Sequence, residues 1–405
     1  MIKNQLNLAW IWKFSVFASL FFISTTLSNA GTSISIGMML VLTVYMYCKN
    51  NYNPPALSKD FLYPYIIFFL LLLIATIPLL DVQSLHKVWK YFYWTLPFFL
   101  FYYAGCVNDF KHVYEKSILY SMLFLSGYTL YLASTLPFGT RIAGFSNQPN
   151  LHAIIIESIL PYVIFIAMVY IKKKDYHKKR YGLTLWFAVI LSATGTASLL
   201  LTQSRGGCAG FFSGFVFLLL LRIATTKNIY LNSITKKVCV CVLLVAISMG
   251  GIFLQGNKLS RSYDHERILL WTSSYHMWQD HKFFGVGLAN WKEAYDTQYI
   301  LPGAKEPDLA MPHNVFMAFL SQTGIIGFLG YLIFLIGESI FLIKRIIQGS
   351  HNYLYYAMLW GLITITVHGV VDTGIINRSA MQIFFSYAGV TLAMDRFSDR
   401  NNKNL

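Results

Sequence analysis

Charge is scarce in this chain: Asp, Glu, Lys and Arg together supply 12% of its 405 residues. A soluble domain carries about a quarter, so a soluble fold is excluded. Cysteine is rare too. The five present, Cys48, Cys106, Cys208, Cys239 and Cys241, lie in or beside apolar runs, and no spacing among them suggests a disulfide framework or a zinc site. There is no His-Glu-x-x-His and no Asp-x-Asp, which argues against a bound metal. There is no P-loop and no Gly-x-Gly-x-x-Gly, which argues against a nucleotide. No internal repeat is visible, whereas a transporter is expected to show pseudo-symmetric halves.

What is present is apolar. Hydrophobic residues make 56% of the chain, and aromatics 17%, with 27 Tyr and 9 Trp. Many aromatics sit at the ends of apolar runs, as interfacial anchors do. The runs fall near 10–27, 31–48, 62–80, 91–107, 117–137, 151–171, 183–202, 209–226, 237–254, 314–343, 353–370 and 380–395. Each is long enough, or nearly so, for a bilayer-crossing helix of about 17–25 residues. Continuous runs predict helices rather than a barrel. The fold class is therefore all-α integral membrane, with about 12 transmembrane helices. Ser28-Asn29-Ala30 resembles a signal-peptide cleavage site, but the first run is long and Lys13 interrupts its start, so a retained first helix is expected.

Orientation follows from the basic residues. The two termini and the loops 49–61, 108–116, 172–182, 227–236 and 344–352 hold 21 of the 32 Lys and Arg. Cytoplasmic loops carry this excess, so both termini are expected inside. Lys87 and Lys90 run against the bias. The net charge of +15 is explained by these loops meeting anionic membrane lipid, so nucleic acid is not an expected partner.

The chain thus divides into helices 1–9 over residues 1–254, a segment 255–313 facing outward, and helices 10–12 with a cytoplasmic tail over 314–405. The outer segment is the only one large enough to fold outside the membrane. Two short helices are expected in it. One starts near Asp264 as N-cap and runs through Trp278; the other spans about Trp291 to Tyr299. Gly285-Val286-Gly287 separates them. Apolar residues at helical spacing suggest that both lie on the membrane surface.

Charges near a membrane span are costly unless solvated or paired, so each is a functional candidate. The first cluster is Thr202-Gln203-Ser204-Arg205-Gly206-Gly207, where glycines let backbone approach a ligand. Arg205 precedes a helix N-terminus, which favours anions, and a guanidinium grips phosphate oxygens bidentately. The alternative is an interfacial Arg reaching for water. The second cluster is Asp264-His265-Glu266-Arg267. The third is Met311-Pro312-His313-Asn314, where the helix N-terminus keeps His313 neutral and able to accept a proton. The fourth comprises His368, Asp372 and Arg378, with Arg141 as a further cation. Any of these could be a structural ion pair. Glu157 and Glu338 are buried acids that keep a transporter or flippase in view.

These elements in this order resemble the O-antigen ligase and O-antigen polymerase superfamily. The resemblance rests on Thr202 to Gly207, on Arg267 in a large outer loop, and on Pro312-His313-Asn314-Val315-Phe316 running to Thr323-Gly324-Ile325-Ile326-Gly327. Arg141-Ile142-Ala143-Gly144 through Asn147-Gln148-Pro149-Asn150 is similar to a looser family stretch, departing from it by one Gln. The shared core covers about 185–340. The resemblance implies a GT-C-like glycosyltransferase in the inner membrane of a Gram-negative bacterium. Its large periplasmic loop would carry the short helices, and its site would face the periplasm. It further implies transfer of undecaprenyl diphosphate-linked O-antigen to the lipid A–core oligosaccharide without metal, nucleotide or other cofactor. A polymerase or a protein-glycosylating relative is the alternative. By position, Arg205, Arg267 and His313 would be catalytic. Arg141, Ser204, Gly206, Asn314, His368 and Arg378 would bind substrate.

Overall fold

The computed structural model describes residues 2–50, 55–107, 110–172, 179–225, 262–304, 311–349 and 352–403. Among them the chain is helical throughout, with no strand. The helices are α1 (Ile2–Thr25), α2 (Asn29–Asn50), α3 (Lys59–Thr76), α4 (Val82–Val107), α5 (Lys111–Thr135), α6 (Pro149–Lys172), α7 (Lys179–Leu201), α8 (Arg205–Thr225), α9 (Ser262–Asp280), α10 (Trp291–Ala294), α11 (Val315–Ile347), α12 (Leu354–His368) and α13 (Arg378–Lys403). Each apolar run read from the sequence coincides with one of these, except 237–254, which lies outside the described residues. Among the described residues, eight helices are long and apolar enough to cross a membrane. The exceptions among the expected spans are α4, α12 and α13.

In lipid there is no water to drive helices together, so close packing and polar contacts must hold them. Both are present. A methyl group on Gly210 of α8 would stand 2.5 Å from the Thr364 carbonyl oxygen of α12, so these backbones nearly touch. Tyr65 and Thr95 join α3 to α4 by a 2.8 Å hydrogen bond, and Ser24 and Tyr387 join α1 to α13 at 3.0 Å. Such bonds contribute roughly 0.6–2 kcal/mol each. α6 is central: His152 to Val163 are buried on every side, as expected of a helix that is apolar all round.

Three readings are sharpened. α4 starts at Val82, well before the apolar run at 91, because Asp81 caps it by accepting from the amides of Gln83 and Ser84. Lys87 and Lys90 therefore stand on the helix's first turns, with the Lys87 ammonium 5.8 Å from the Tyr91 ring. α9 is already running at Ser262, so Asp264 is inside it and not its cap. The apolar residues of α9 face those of α10 and of the helical turn Tyr295–Tyr299 that follows it: Leu270, Met277, Trp291, Tyr295 and Tyr299 form a small core of their own. That packing uses the side chains that suggested two separate helices lying on a membrane surface.

α11 has 33 residues, about 50 Å at 1.5 Å per residue, well beyond a hydrocarbon core of about 30 Å. Gly324 divides it, with φ 58° and ψ −163°, a region open essentially to glycine alone. The break is filled from the segment that precedes α11. The amides of Val286 and Gly287 donate to the carbonyls of Ser321 and Gln322, and Ile325 donates to Lys282. Residues 325–347 are long enough to cross by themselves. The turn before the break is thus tied to the segment that carries α9.

Candidate functional site

The site is assembled at the helix ends from four connections. The first is the loop between α5 and α6. Ile142 donates its amide to the Leu201 carbonyl, and Arg141 Nε donates to the Thr202 carbonyl at 3.3 Å, so this loop is laced to the end of α7. Arg141 Nη2 also donates to Asn150 Oδ1 at 2.8 Å. The second connection is the tight turn Thr202–Ser204 between α7 and α8, where Gln203 has φ 50°. Ser204 Oγ accepts from the Gly207 amide at 3.2 Å, the N-cap arrangement that satisfies an orphan amide of the first turn.

The third is the start of α11. Asn314 caps it, with Oδ1 accepting from Phe316 and Met317 at 2.9 and 3.1 Å. His313, one residue earlier, has φ 48°. That is an uncommon conformation for a residue other than Gly, one that His adopts more readily than most, and two contacts hold it. Trp271 of α9 donates Nε1–H to the Pro312 carbonyl at 2.9 Å, and the Val315 amide donates to Gly369 at 2.7 Å. The fourth connection is the loop after α12, where Asp372 accepts from the Thr373 amide at 2.7 Å and from Asn150 Nδ2 at 2.7 Å.

These four connections enclose one cavity of about 800 Å³. Arg141, Ser204, Arg205, Gly206, Arg267, His313 and His368 all line it. Seven of the nine residues singled out from the sequence thus meet, from five separate stretches of chain. The other two do not line it. Asn314 has its side chain engaged in the α11 cap, and Arg378 opens α13 beyond the cavity wall.

Within the cavity His313 Nδ1 lies 3.5 Å from Asp372 Oδ1, an ion-pair separation. His313 Nδ1 itself is buried and makes no hydrogen bond, so Nε2 is the ring nitrogen left to face the cavity. Burial by itself would raise Asp372. The neighbouring His313 and His368 and the Thr373 amide outweigh it, and the carboxyl is held well below its usual range. Arg141, Arg205 and Arg267 are half-buried, with Arg267 one helical turn from Trp271 on α9. The sequence reading missed Asn150 and Trp271 in the lining and did not pair Asp372 with His313. Trp271 was open to inference, since it stands four residues after Arg267 on one helix face.

Residues 187–332 match the family described as O-antigen ligase. This chain carries an O-antigen ligase family domain. The resemblance read from the motifs holds over that stretch, which contains Arg205, Arg267 and His313. Members of the O-antigen ligase and polymerase superfamily are membrane enzymes of glycan transfer, and the apolar helices described here are consistent with a membrane protein. No curated relative matches the chain. Arg141, Asn150, His368 and Asp372 lie outside the family domain, so the rest of the cavity wall comes from flanking helices.

Proposed function

We propose that the protein is an O-antigen ligase. It moves an O-polysaccharide from undecaprenyl diphosphate to the lipid A–core oligosaccharide at the periplasmic side of the inner membrane, with both termini in the cytoplasm. The observation that carries this reading is the meeting of three arginines with one His–Asp pair in a single cavity. Arginine forks match phosphate oxygens, and a diphosphate is the group of such a donor that three cations suit. The cavity volume is at the upper end of small-molecule sites, about 300–1,000 Å³, and suits a diphosphate with the reacting sugar of each partner, the remaining glycan lying outside.

The chemistry is a direct displacement. The acceptor hydroxyl oxygen forms a bond to the anomeric carbon as the bond from that carbon to the diphosphate oxygen breaks, inverting the centre. The electron pair leaves on the lipid diphosphate, where Arg205 and Arg267 neutralise it. A preorganised donor at developing charge is worth roughly 3–4 kcal/mol. The hydroxyl proton passes to His313 Nε2, a general-base contribution of about 10²–10⁴ in rate. Asp372 stabilises the imidazolium so formed without taking the proton itself.

Deletion of the gene followed by gel analysis of lipopolysaccharide tests the assignment. Loss of all polymer on lipid A, with carrier-linked polymer accumulating, is the expected result. A single repeat unit still attached indicates a polymerase, and unchanged lipopolysaccharide overturns both.

A further inference from the structure

Glu157 is fully buried in the middle of α6, inside a span, where an acid without a partner is expensive. Its partner is His368 at the end of α12: Nδ1 lies 2.7 Å from Glu157 Oε1. His368 is 1% exposed. Its other ring nitrogen, Nε2, is 3.4 Å from Ser204 Oγ, the same oxygen that accepts the Gly207 amide. An acid on α6, a ring on α12 and the cap of α8 therefore form one buried line ending under Arg205.

The glycines of the turn fit this line. A methyl group added at Gly206 would stand 2.6 Å from His368 Cδ2, and one at Gly207 would stand 2.8 Å from Glu157 Oε2. Real Cβ atoms do not approach so closely, so the first turn of α8 rests directly on the Glu157–His368 pair. Arg205 lies between Ser204 and Gly206, on the cavity side. Neither Glu157 nor His368 belongs to the family domain at 187–332.

We propose that Glu157 is a positioning residue: through His368 and Ser204 it fixes the first turn of α8 and aims Arg205 at the anionic group of the donor. The chemistry is hydrogen-bond geometry. Nδ1–H donates to Glu157, which sets the ring so that Nε2 meets the Ser204 hydroxyl, and that hydroxyl caps the helix that carries Arg205. His368 and Ser204, expected from the sequence to bind substrate, act in this arrangement through Arg205 instead. Glu157, the acid that kept a transporter in view, has a partner inside the protein for Oε1. The role rests on the donor being a lipid diphosphate, as proposed above.

The test is steady-state transfer by the full-length protein in lipid nanodiscs, with a polyprenyl diphosphate-linked glycan as donor. Glu157→Leu, which keeps bulk and removes the acceptor, is expected to raise donor KM by roughly 10–100-fold, the range for a residue that orients a binding group. Acceptor KM stays within about twofold, since lost donor binding alone moves donor KM. Glu157→Gln, which keeps an acceptor oxygen, restores donor KM to within about threefold. Should Glu157→Leu fail to insert, Gly206→Ala, which pushes His368 aside, carries the same expectation. A wild-type donor KM in the Leu variant, an equal rise in both KM values, or a Gln variant as impaired as the Leu variant overturns the role while leaving the function intact. If the wild type transfers nothing, the function fails, and calorimetric binding of inorganic diphosphate decides the role. Weakening by about tenfold or more in Glu157→Leu supports it, and equal binding or no binding by the wild type overturns it.

Discussion

His313 Nδ1 stands 3.5 Å from Asp372 Oδ1, across the junction of α11 with the loop after α12. Asp372 is tied in turn to Asn150, and Asn150 to Arg141, at 2.7 and 2.8 Å. One chain of polar contacts thus runs from a candidate base to a candidate phosphate ligand. Its members come from three loops and the first turn of α6, which only the helix packing brings together.

The pairing predicts the effect of Asp372→Asn. The variant keeps size and hydrogen bonding to the Thr373 amide, but it offers no charge to an imidazolium. Transfer is expected to fall roughly 10–100-fold, chiefly in kcat, because a loss confined to the transition state appears there; the bond from Asn150 Nδ2 is lost as well, which loosens Arg141. Measuring kcat and KM for the two substrates checks this. An unchanged kcat contradicts it.

Asp372 also sets an acid limit. Its carboxyl is held below the ordinary value of 3.8. A depressed carboxyl binds fewer protons folded than unfolded. Its contribution is therefore whole above about pH 4 and lost as pH falls through the lowered value. Melting temperatures of wild type and Asp372→Asn in detergent should differ from neutral pH down to about pH 5 and converge below about pH 4. A difference already gone at pH 5 is the contrary result.

Gly324→Ala probes the seam between residues 282–287 and α11. The added methyl would stand 2.3 Å from the Phe283 carbonyl group, which is backbone and has no rotamer to yield. The dihedral strain alone costs about 1–3 kcal/mol. Thermal denaturation should show a clear loss of stability, larger than for an Ala placed at exposed Gly37, whose added methyl meets nothing within 4 Å. Equal melting of the two variants would sink this account of the kink.

Arg205 and His313 were legible because each breaks a local rule: a charge or a titratable ring stands where an apolar helix begins. Arg267, inside the polar helix α9, was legible through the family resemblance and not from its own surroundings. The helices were legible for the same reason that a membrane protein is simple to parse, namely long apolar runs. Three kinds of feature were not. The Asp372–His313 and Glu157–His368 pairings join residues far apart in the chain, and no local pattern encodes them. The early start of α4 is polar, so hydropathy passes over the turns that Asp81 caps. The break at Gly324 depends on backbone donated from 282–287, and an uninterrupted apolar run hides it. Asn314 read as a ligand because it neighbours His313, yet its own position at the start of a helix already favoured a cap.

The most direct test of the central claim is transfer by purified, nanodisc-embedded protein given polyprenyl diphosphate-linked glycan and lipid A–core acceptor, comparing wild type with His313→Ala. The account predicts polymer on the acceptor with wild type and a fall of about 10²–10⁴ in rate with His313→Ala, the variant still inserting and melting as a folded protein. Transfer at the wild-type rate by His313→Ala would contradict it.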